Sequence, residues 1–366
     1  MTNSSDRIGA LRGLMAEAGL DAAAFIPGAT FRYLTGGVFH VMERPTVLIV
    51  PRQGRPVVVL PDMEADSWTL LSCDAHVIRW RDEEGYAAAF AKAAELVEAR
   101  RLGVEGLSMR VVEANALRAA FPGAELIDMQ AWTLGLRAVK DDAEIACLRK
   151  AVAMAEAALT ATLDEVDVGM SEQDVQRLML QNILAQPVQG PVSPPLVLAG
   201  PSSAMPHGRA GSYRLKVGDA LLFDFGVGAG GYRSDITRTV FIGDVSPEDR
   251  ALYECVLAAN TLGREIARPG LTAHALDDAV RGHLEASPYA DYVVHKTGHG
   301  LGLDVHEAPQ IIRGNHVELV AGNVITIEPG LYRPGRLGVR IEDDVLVTAD
   351  GCESLSALPR ELLVVG

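Results

Sequence analysis

The hydrophobic positions in the first third of the chain alternate between helical and strand-like spacing. Helical spacing predicts amphipathic helices over residues 6–18, 86–99 and 111–120. Short apolar runs predict strands over residues 22–26, 46–51, 56–60 and 75–80. This alternation is typical of an α/β domain. No G-x-G-x-x-G sequence follows the first strand, so we expect no dinucleotide site there.

The pattern changes near residue 140, which predicts a division into domains 1–135 and 136–366. A long helix is predicted from 140–142 to about residue 163, with residues 128–137 before it as the linker. Further helices are predicted to begin at the N-cap residues Ser171, Ser246 and Thr272. Asp174 three residues after Ser171 forms an acidic variant of the capping box.

Two hairpins are predicted in the second domain, and each carries two acids within apolar strands. A turn centred between Ala229 and Gly230 places Asp224 opposite Asp235, on one face of the first hairpin. A turn centred on Gly335 places Glu328 opposite Glu342 in the second. A one-residue slip would separate either pair. Acids on edge strands facing water explain one such hairpin equally well, but the repetition favours paired carboxylates that share a cation.

His299 lies between the hairpins in sequence, within the glycine-rich segment G-H-G-L-G. One imidazole and four carboxylates form a mixed nitrogen and oxygen ligand set, which suits Mn²⁺, Co²⁺, Fe²⁺ or Zn²⁺. Four carboxylates also balance two divalent cations, so the set favours a two-metal hydrolytic centre. A histidine packed in the core is the alternative interpretation of His299 taken alone.

Composition narrows the classes of partner. Asp and Glu number 48 against 33 Lys and Arg, and the net charge of −15 disfavours binding to nucleic acid or anionic lipid. The sequence has neither an apolar signal segment nor a run of 18 apolar residues, so we expect a cytoplasmic protein without a membrane partner. The cysteines are too far apart for a zinc ribbon or redox pair and are expected to be free thiols: Cys73, Cys147, Cys255 and Cys352.

These motifs together resemble the family of aminopeptidase P, prolidase and methionine aminopeptidase. The matching segments are D-F-G-x5-Y-x-S-D-x-T-R-T from Asp224, G-H-G-L-G-L-D-V-H-E around His299, I-E-P-G at Glu328, and V-R-I-E-D-D around Glu342. The R-x-x-K-x3-E sequence from Arg137 is similar to the start of the family's catalytic domain. The resemblance implies an N-terminal α/β (creatinase-N-like) domain followed by a pita-bread (creatinase/methionine aminopeptidase-like) catalytic domain. A separate N-terminal domain is similar to prolidases and aminopeptidases P rather than to methionine aminopeptidases.

The resemblance also implies a role for each site residue. One metal ion would be held by Asp235, His299, Glu328 and Glu342, and the other by Asp224, Asp235 and Glu342. A metal-bridging hydroxide would attack the scissile carbonyl, and Glu328 would transfer protons. His207 and His306 match histidines that contact the substrate or steady the tetrahedral intermediate. Arg340 is expected to orient Glu342 through a charge-assisted hydrogen bond and to help bind substrate. A solvated loop histidine and a surface arginine are the alternative interpretations of His207 and Arg340.

The implied reaction is hydrolysis of the peptide bond that precedes proline. A complete ligand set argues against creatinase-like amidinohydrolases and non-catalytic relatives. An Xaa-Pro dipeptidase with two Mn²⁺ ions, acting as a homodimer, is favoured. The alternatives are an aminopeptidase P that acts on longer peptides, Co²⁺, Zn²⁺ or Fe²⁺ in place of Mn²⁺, and a non-peptide amidohydrolase or lyase on the same scaffold.

A dipeptidase must bind the carboxylate of the substrate's proline, normally through Arg or Lys. Where several prolidases carry a basic residue, this chain has Gln310. Residues 33–45 resemble a segment of small bacterial Xaa-Pro dipeptidases that can reach the active site, often that of the partner subunit. Arg44 is therefore a candidate for the carboxylate, and His40 or Glu43 for the amino end. A charged strand start before proline explains these residues equally well.

Overall fold

The computed structural model describes residues 4–190 and 192–366. Its helices are α1 (Ser4–Glu17), α2 (Ala29–Thr35), α3 (Ala65–Thr69), α4 (Ala87–Leu96), α5 (Val111–Ala120), α6 (Gln130–Ala138), α7 (Asp142–Leu163), α8 (Glu172–Leu184), α9 (Pro247–Ile266) and α10 (Ala273–Glu285). None of these helices is both long and apolar enough to cross a bilayer.

The strands of the first part of the chain are β1 (Ala22–Phe25), β2 (Val47–Pro51), β3 (Val57–Pro61), β4 (His76–Trp80), β5 (Arg101–Val104) and β6 (Glu125–Asp128). Those that follow are β7 (Leu196–Ala199), β8 (Ala220–Phe225), β9 (Gly228–Ala229), β10 (Tyr232–Arg233), β11 (Ile236–Ile242), β12 (Gly298–Gly300), β13 (Glu307–Ile311), β14 (Val324–Ile327), β15 (Gly330–Arg333), β16 (Leu337–Arg340), β17 (Asp343–Val347), β18 (Cys352–Ser354) and β19 (Val364–Val365).

The chain divides into two compact units, Met1–Arg137 and Ala138–Gly366. The N-terminal unit is built on a six-stranded mixed sheet in the order β4-β3-β2-β1-β5-β6. Every residue of β1, β2 and β3 is buried, as expected for apolar strands covered on both faces. One hydrophobic core joins the sheet to α4 and α5. The predicted α/β architecture is therefore confirmed.

The segment predicted as a linker, 128–137, is instead structured. Strand β6 ends at Asp128, and α6 begins at Gln130. The Asp128 carboxylate accepts from the Gln130 backbone N–H at 2.9 Å, so this aspartate satisfies an otherwise unpaired donor at the start of the helix. Thr133 and Arg137 are buried. The segment expected to link the domains is thus largely helical, and the division between the two units follows its last residue, Arg137.

The C-terminal unit consists of two α/β halves. In the first half α7 and α8 accompany the sheet β19-β11-β8-β7, and in the second α9 and α10 accompany the sheet β13-β12-β14-β17-β18. Separate hydrophobic clusters fill the two halves. This two-half arrangement is the pita-bread architecture implied by the resemblance, which is thereby confirmed.

The predicted helix starts in this unit are also confirmed. Each of three side chains accepts a hydrogen bond from the backbone N–H three residues later, at the starts of α8, α9 and α10: Ser171, Ser246 and Thr272. Asp174 completes the acidic capping box with Ser171. The cysteines are all free thiols, as expected.

The register predicted for the first hairpin is wrong by two residues. In the β8–β11 pair, Asp224 lies opposite Thr237 rather than Asp235. The turn is centred between Gly230 and Gly231, whose φ angles are 59° and 95°. A two-residue hairpin turn of this kind requires positive φ at both central positions, which two glycines adopt without steric cost. Because the shift is an even number of residues, Asp235 stays on the face that carries Asp224.

The register predicted for the second hairpin is confirmed. Gly330 lies opposite Arg340 in the β15–β16 ribbon, and Ile327 lies opposite Asp343 in the β14–β17 pair. These two pairings share one register and bracket Glu328 and Glu342, so those two acids come from facing positions. The turn contains Gly335 with a φ of 72°.

Candidate metal centre

The five candidate ligands come from the facing strands of both halves of the C-terminal unit. Asp224 lies on β8 and His299 on β12, while the other three directly adjoin strand ends: Asp235, Glu328 and Glu342. All five line one cavity of about 420 Å³. His207, His306 and Arg340 line the same cavity, so the structure brings together all the site residues predicted in this unit.

Side-chain donor atoms converge closely enough for metal coordination. His299 Nε2 lies 3.3 Å from Glu328 Oε1 and 3.7 Å from Asp235 Oδ2. Three groups have their ligand atoms within 4.8 Å of one another: Asp224, Asp235 and Glu342; His299, Glu328 and Glu342; and Asp235, His299 and His306. Such a mixed carboxylate and imidazole set fits divalent ions such as Mn²⁺ or Zn²⁺.

Local contacts fix the His299 ring and explain the glycines beside it. Nδ1 lies 3.0 Å from the Gly300 carbonyl oxygen, which assigns the ring proton to Nδ1 and leaves the Nε2 lone pair toward the acids. Thr326 Oγ1 accepts from the His299 backbone N–H at 3.1 Å and donates to Glu328 at 3.3 Å. A Cβ at Gly298 would lie 2.0 Å from the Thr326 carbonyl oxygen, so no side chain fits there.

The electrostatics of the cluster favour a bound cation. Burial, reinforced by neighbouring carboxylates, raises the pKa of Asp235 and of Glu342 well above the usual range. Burial likewise raises the pKa of Glu328 to about 7. Burial lowers the pKa of His299 to about 3, so its imidazole is neutral and able to ligate. The donor set thus fits divalent metal, because a cation would offset the cost of ionising these buried acids.

The buried guanidinium of Arg340 contacts Asp224 directly, not Glu342 as predicted. Its other nitrogens donate to Thr237 Oγ1 at 2.9 Å and to the Tyr332 hydroxyl at 2.7 Å. Thr237 Oγ1 in turn donates to Glu342 Oε2 at 2.5 Å. The hydrogen-bonded path from Arg340 to Glu342 therefore runs through the Thr237 hydroxyl, which lies between them, while the charge of Arg340 also acts on Glu342 directly.

Two histidines flank the cluster. The rings of His306 and His299 lie 4.1 Å apart between centroids, and His306 shares a potential ligand group with Asp235. His207 is exposed at the cavity wall, in the segment after the short 3₁₀ helix Gly200–Ala204. Both positions are accessible to a molecule that enters the cavity.

The two N-terminal candidates have other surroundings. Arg44 donates to both carboxylate oxygens of Asp82, at 2.9 and 2.7 Å, and also to Glu43. His40 is exposed. The residues that line the cavity all belong to the C-terminal unit. A role of Arg44 and His40 in substrate binding stays a prediction.

Sequence reasoning missed several polar residues of the site. Thr237 could have been found, since it lies two positions after Asp235 and so shares its face of the strand. His295 and Lys296 also line the cavity, just before the ligand-bearing β12. His295 Nε2 lies 2.9 Å from the Tyr332 hydroxyl, and its Nδ1 lies 2.7 Å from the Lys296 carbonyl oxygen.

The motif at the start of α7 secures both sides of the site. Lys140 Nζ lies 3.2 Å from Glu307 Oε2, and both side chains are fully buried. Glu307 also accepts from the Asp304 backbone N–H at 3.0 Å, which steadies the loop that carries His306. Glu144 accepts a hydrogen bond from the Tyr232 hydroxyl. Tyr232 lies in the first hairpin, which carries Asp224 and Asp235. Lys140, just before the helix cap, and Glu144, in the first turn of α7, therefore hold a segment of each half in place.

Comparison with known proteins agrees with this geometry. Residues 146–349 match the metallopeptidase family M24, and residues 7–139 match the creatinase/prolidase N-terminal domain. The protein named "Probable dipeptidase PepE" of Mycobacterium tuberculosis is 36% identical over 96% of this chain and 93% of its own length.

Two solved structures have the same fold over essentially the whole chain. A prolidase from Thermococcus sibiricus superposes with a TM-score of 0.94 at 31% identity and covers 100% of both chains. An Xaa-Pro dipeptidase from Bacillus anthracis superposes with a TM-score of 0.92 at 30% identity, over 99% of this chain and 100% of that one. The family model covers residues 146–349, and all five candidate ligands lie within this range. The chain therefore belongs to metallopeptidase family M24.

Proposed function

We propose that the protein is an Xaa-Pro dipeptidase that hydrolyses the peptide bond before proline. The observation that carries this proposal is the convergence of four carboxylates and His299 in one cavity of about 420 Å³, a size suited to a small ligand. Support for the substrate class comes from the relatives of similar length, which are named dipeptidase, prolidase or Xaa-Pro dipeptidase.

The proposed ligand sets are Asp235, His299, Glu328 and Glu342 for one metal ion, and Asp224, Asp235 and Glu342 for the other. Two divalent cations, when bound, supply Lewis acidity toward the scissile carbonyl and a nucleophile at neutral pH.

The remaining residues bind substrate and move protons. Glu328, whose pKa lies near 7 in the metal-free protein, is placed to accept and return a proton during hydrolysis. His207 and His306 bind the substrate at the cavity wall, where both are accessible. Arg340 fixes the carboxylate of Asp224, which keeps that side chain oriented toward the cluster.

We also propose that the metal is Mn²⁺ and that the protein forms a homodimer. The proposed domains are an N-terminal domain of residues 1–135 and a catalytic domain of residues 136–366. The nitrogen and oxygen ligands support Mn²⁺. Exposed apolar residues in the N-terminal unit, Val38, Val41 and Met42, support an interface with a second copy. The free cysteines agree with a reducing cytoplasm.

Hydrolysis of three peptides tests the activity. Protein stripped with a chelator and refilled with Mn²⁺ should cleave Leu-Pro, and should be much less active on Leu-Pro-Gly and Leu-Ala. Asp235→Asn should abolish both hydrolysis and Mn²⁺ binding, since Asp235 belongs to both proposed ligand sets. Efficient cleavage of Leu-Pro-Gly would instead identify an aminopeptidase, and failure on every proline peptide would refute the proposal.

A further inference from the structure

Two strong cations line the cavity, and their surroundings differ. Arg340 is almost fully buried, and its guanidinium is hydrogen-bonded to Asp224, Thr237 and Tyr332. Its charge is already paired with Asp224. Lys296 is half-buried, and its ammonium donates to the neutral side-chain oxygen of Gln310. In the described part of the chain Lys296 forms no ion pair.

The fold fixes the orientation of Gln310. Lys296 lies just before β12 and Gln310 lies on β13, and these strands pair with Gly298 opposite Ile311. Gln310 Nε2 donates to the Glu307 carbonyl oxygen at 2.8 Å. With Nε2 engaged in this way, the amide oxygen is directed at the ammonium. The lysine is thus held in place by a partner that leaves its positive charge uncancelled.

Burial of this ammonium carries a cost that a substrate can remove. Desolvation lowers the pKa of Lys296, although Glu328 and Asp277 act in the opposite direction. A carboxylate that enters the cavity would form a charge-assisted hydrogen bond with Lys296 and offset the lost hydration. The contact would be strongest when the ligand carries that negative charge, because a carboxylate accepts a stronger hydrogen bond from an ammonium than a neutral carbonyl does.

We propose that Lys296, positioned by Gln310, is the specificity-determining residue that binds a substrate carboxylate in this cavity. The inference rests on the proposed dipeptidase function, in which every substrate carries a carboxylate on its proline. A substrate with Asp or Glu before the proline carries a second carboxylate, on that side chain, which could bind Lys296 instead. The assignment differs from the one made from sequence, since the Arg44 guanidinium is already paired with Asp82 and Glu43.

Three variants test this role. Lys296→Met removes the charge but keeps the aliphatic stem, and Gln310→Glu supplies an internal carboxylate that competes with the substrate's. Lys150→Met, on the exposed surface of α7, is the matched control. The substrates are Leu-Pro, Leu-prolinamide and Glu-Pro, each assayed with the Mn²⁺-loaded full chain. Inhibition by L-proline and by L-prolinamide gives a binding readout that needs no turnover of the inhibitor.

The expected result is a loss of about 10- to 100-fold in kcat/KM for Leu-Pro in both site variants, mainly through KM, from the missing charge-assisted contact. Leu-prolinamide lacks the carboxylate, so it should be a poor substrate of the unmodified protein and should change little in the variants. Inhibition by proline should weaken, while inhibition by prolinamide stays constant. A loss confined to Glu-Pro would also support a carboxylate subsite, with the side chain as its source.

Two outcomes would overturn the proposal. One is unchanged kinetics for all three substrates in Lys296→Met. The other is an equal loss on all three, which would mean that Lys296 acts through the metal cluster or the fold. Either result, with Leu-Pro still cleaved by the unmodified protein, would leave the dipeptidase function intact. If the unmodified protein cleaves no proline peptide, the proposed function itself has failed, whereas calorimetric titration of the unmodified protein and of Lys296→Met with L-proline and L-prolinamide still reports on the subsite.

Discussion

Replacement of Thr237 by valine should weaken metal binding without directly removing a ligand. The fully buried hydroxyl donates to Glu342 at 2.5 Å and accepts from Arg340 at 2.9 Å. Valine keeps the shape and the β-branch, so the change removes mainly these two hydrogen bonds. Contacts that orient ligands in this way are typically worth 10- to 100-fold in metal affinity. We therefore expect Thr237→Val to raise the Kd for Mn²⁺ by about that factor.

The effect on folding can be estimated separately. The bond from Arg340 involves a charged donor and is worth about 1.5–3 kcal/mol. Burial raises the pKa of Glu342 well above its usual range, which favours the neutral acid, so the bond to Glu342 is counted as a neutral one worth about 1 kcal/mol. Thr237→Val should therefore lower the free energy of unfolding of the metal-free protein by about 2.5–4 kcal/mol. Thermal unfolding in chelator would measure this loss.

Thr239 offers a matched control on the same strand. Its hydroxyl is also buried, but it bonds only the Arg340 backbone, donating to the carbonyl at 3.0 Å and accepting from the N–H at 3.1 Å. Thr239→Val should cost about 2 kcal/mol of stability and leave Mn²⁺ affinity nearly unchanged. Calorimetric Mn²⁺ titration of both variants decides the matter. Equal Mn²⁺ affinities for Thr237→Val and Thr239→Val would refute the orienting role of Thr237.

Two further predictions concern pH and a buried ion pair. The folded pKa of Glu328, about 7, lies above the unfolded value of about 4.3, so its contribution to stability is complete below the unfolded value and is lost as pH rises through 7. The unfolding temperature of metal-free protein should therefore fall between pH 5 and pH 8, and Glu328→Gln should flatten that slope; a slope unaltered by this variant would contradict the assignment. Lys140→Met should destabilise the protein by about 3–5 kcal/mol, because it leaves Glu307 buried without its cation. The double variant with Glu307→Gln should recover much of this loss in denaturant unfolding, and no recovery would show that the pair is not coupled.

The contrast between the two hairpins shows what sequence can specify. The turn of the second hairpin has a single glycine, Gly335, between clear apolar runs, and a turn centred on it paired Glu328 and Glu342 correctly. The first hairpin contains several glycines, and the predicted centre would have placed Ala229 at a central position of the turn. A requirement for positive φ at both central positions would have selected Gly230 and Gly231.

The candidate ligands could be singled out from sequence because they lie in short motifs, and the structure places all five in one cavity. The partners of those ligands were not. The bond between Arg340 and Asp224 joins residues 116 positions apart, and that between Lys140 and Glu307 joins residues 167 apart. Contacts of this kind depend on how the two halves of the unit pack. No local periodicity encodes that packing.

The residues around the start of α7 have a practical consequence for dividing the protein. The family match begins at residue 146, which lies inside this helix. A fragment cut at that boundary would lack Lys140, the cation of the buried pair, and Glu144, the partner of Tyr232. It would also lack the Asp141 cap of the helix. The smallest autonomous catalytic fragment should therefore begin ahead of α7, and a cut placed by sequence similarity alone would leave the metal centre without two of its supports.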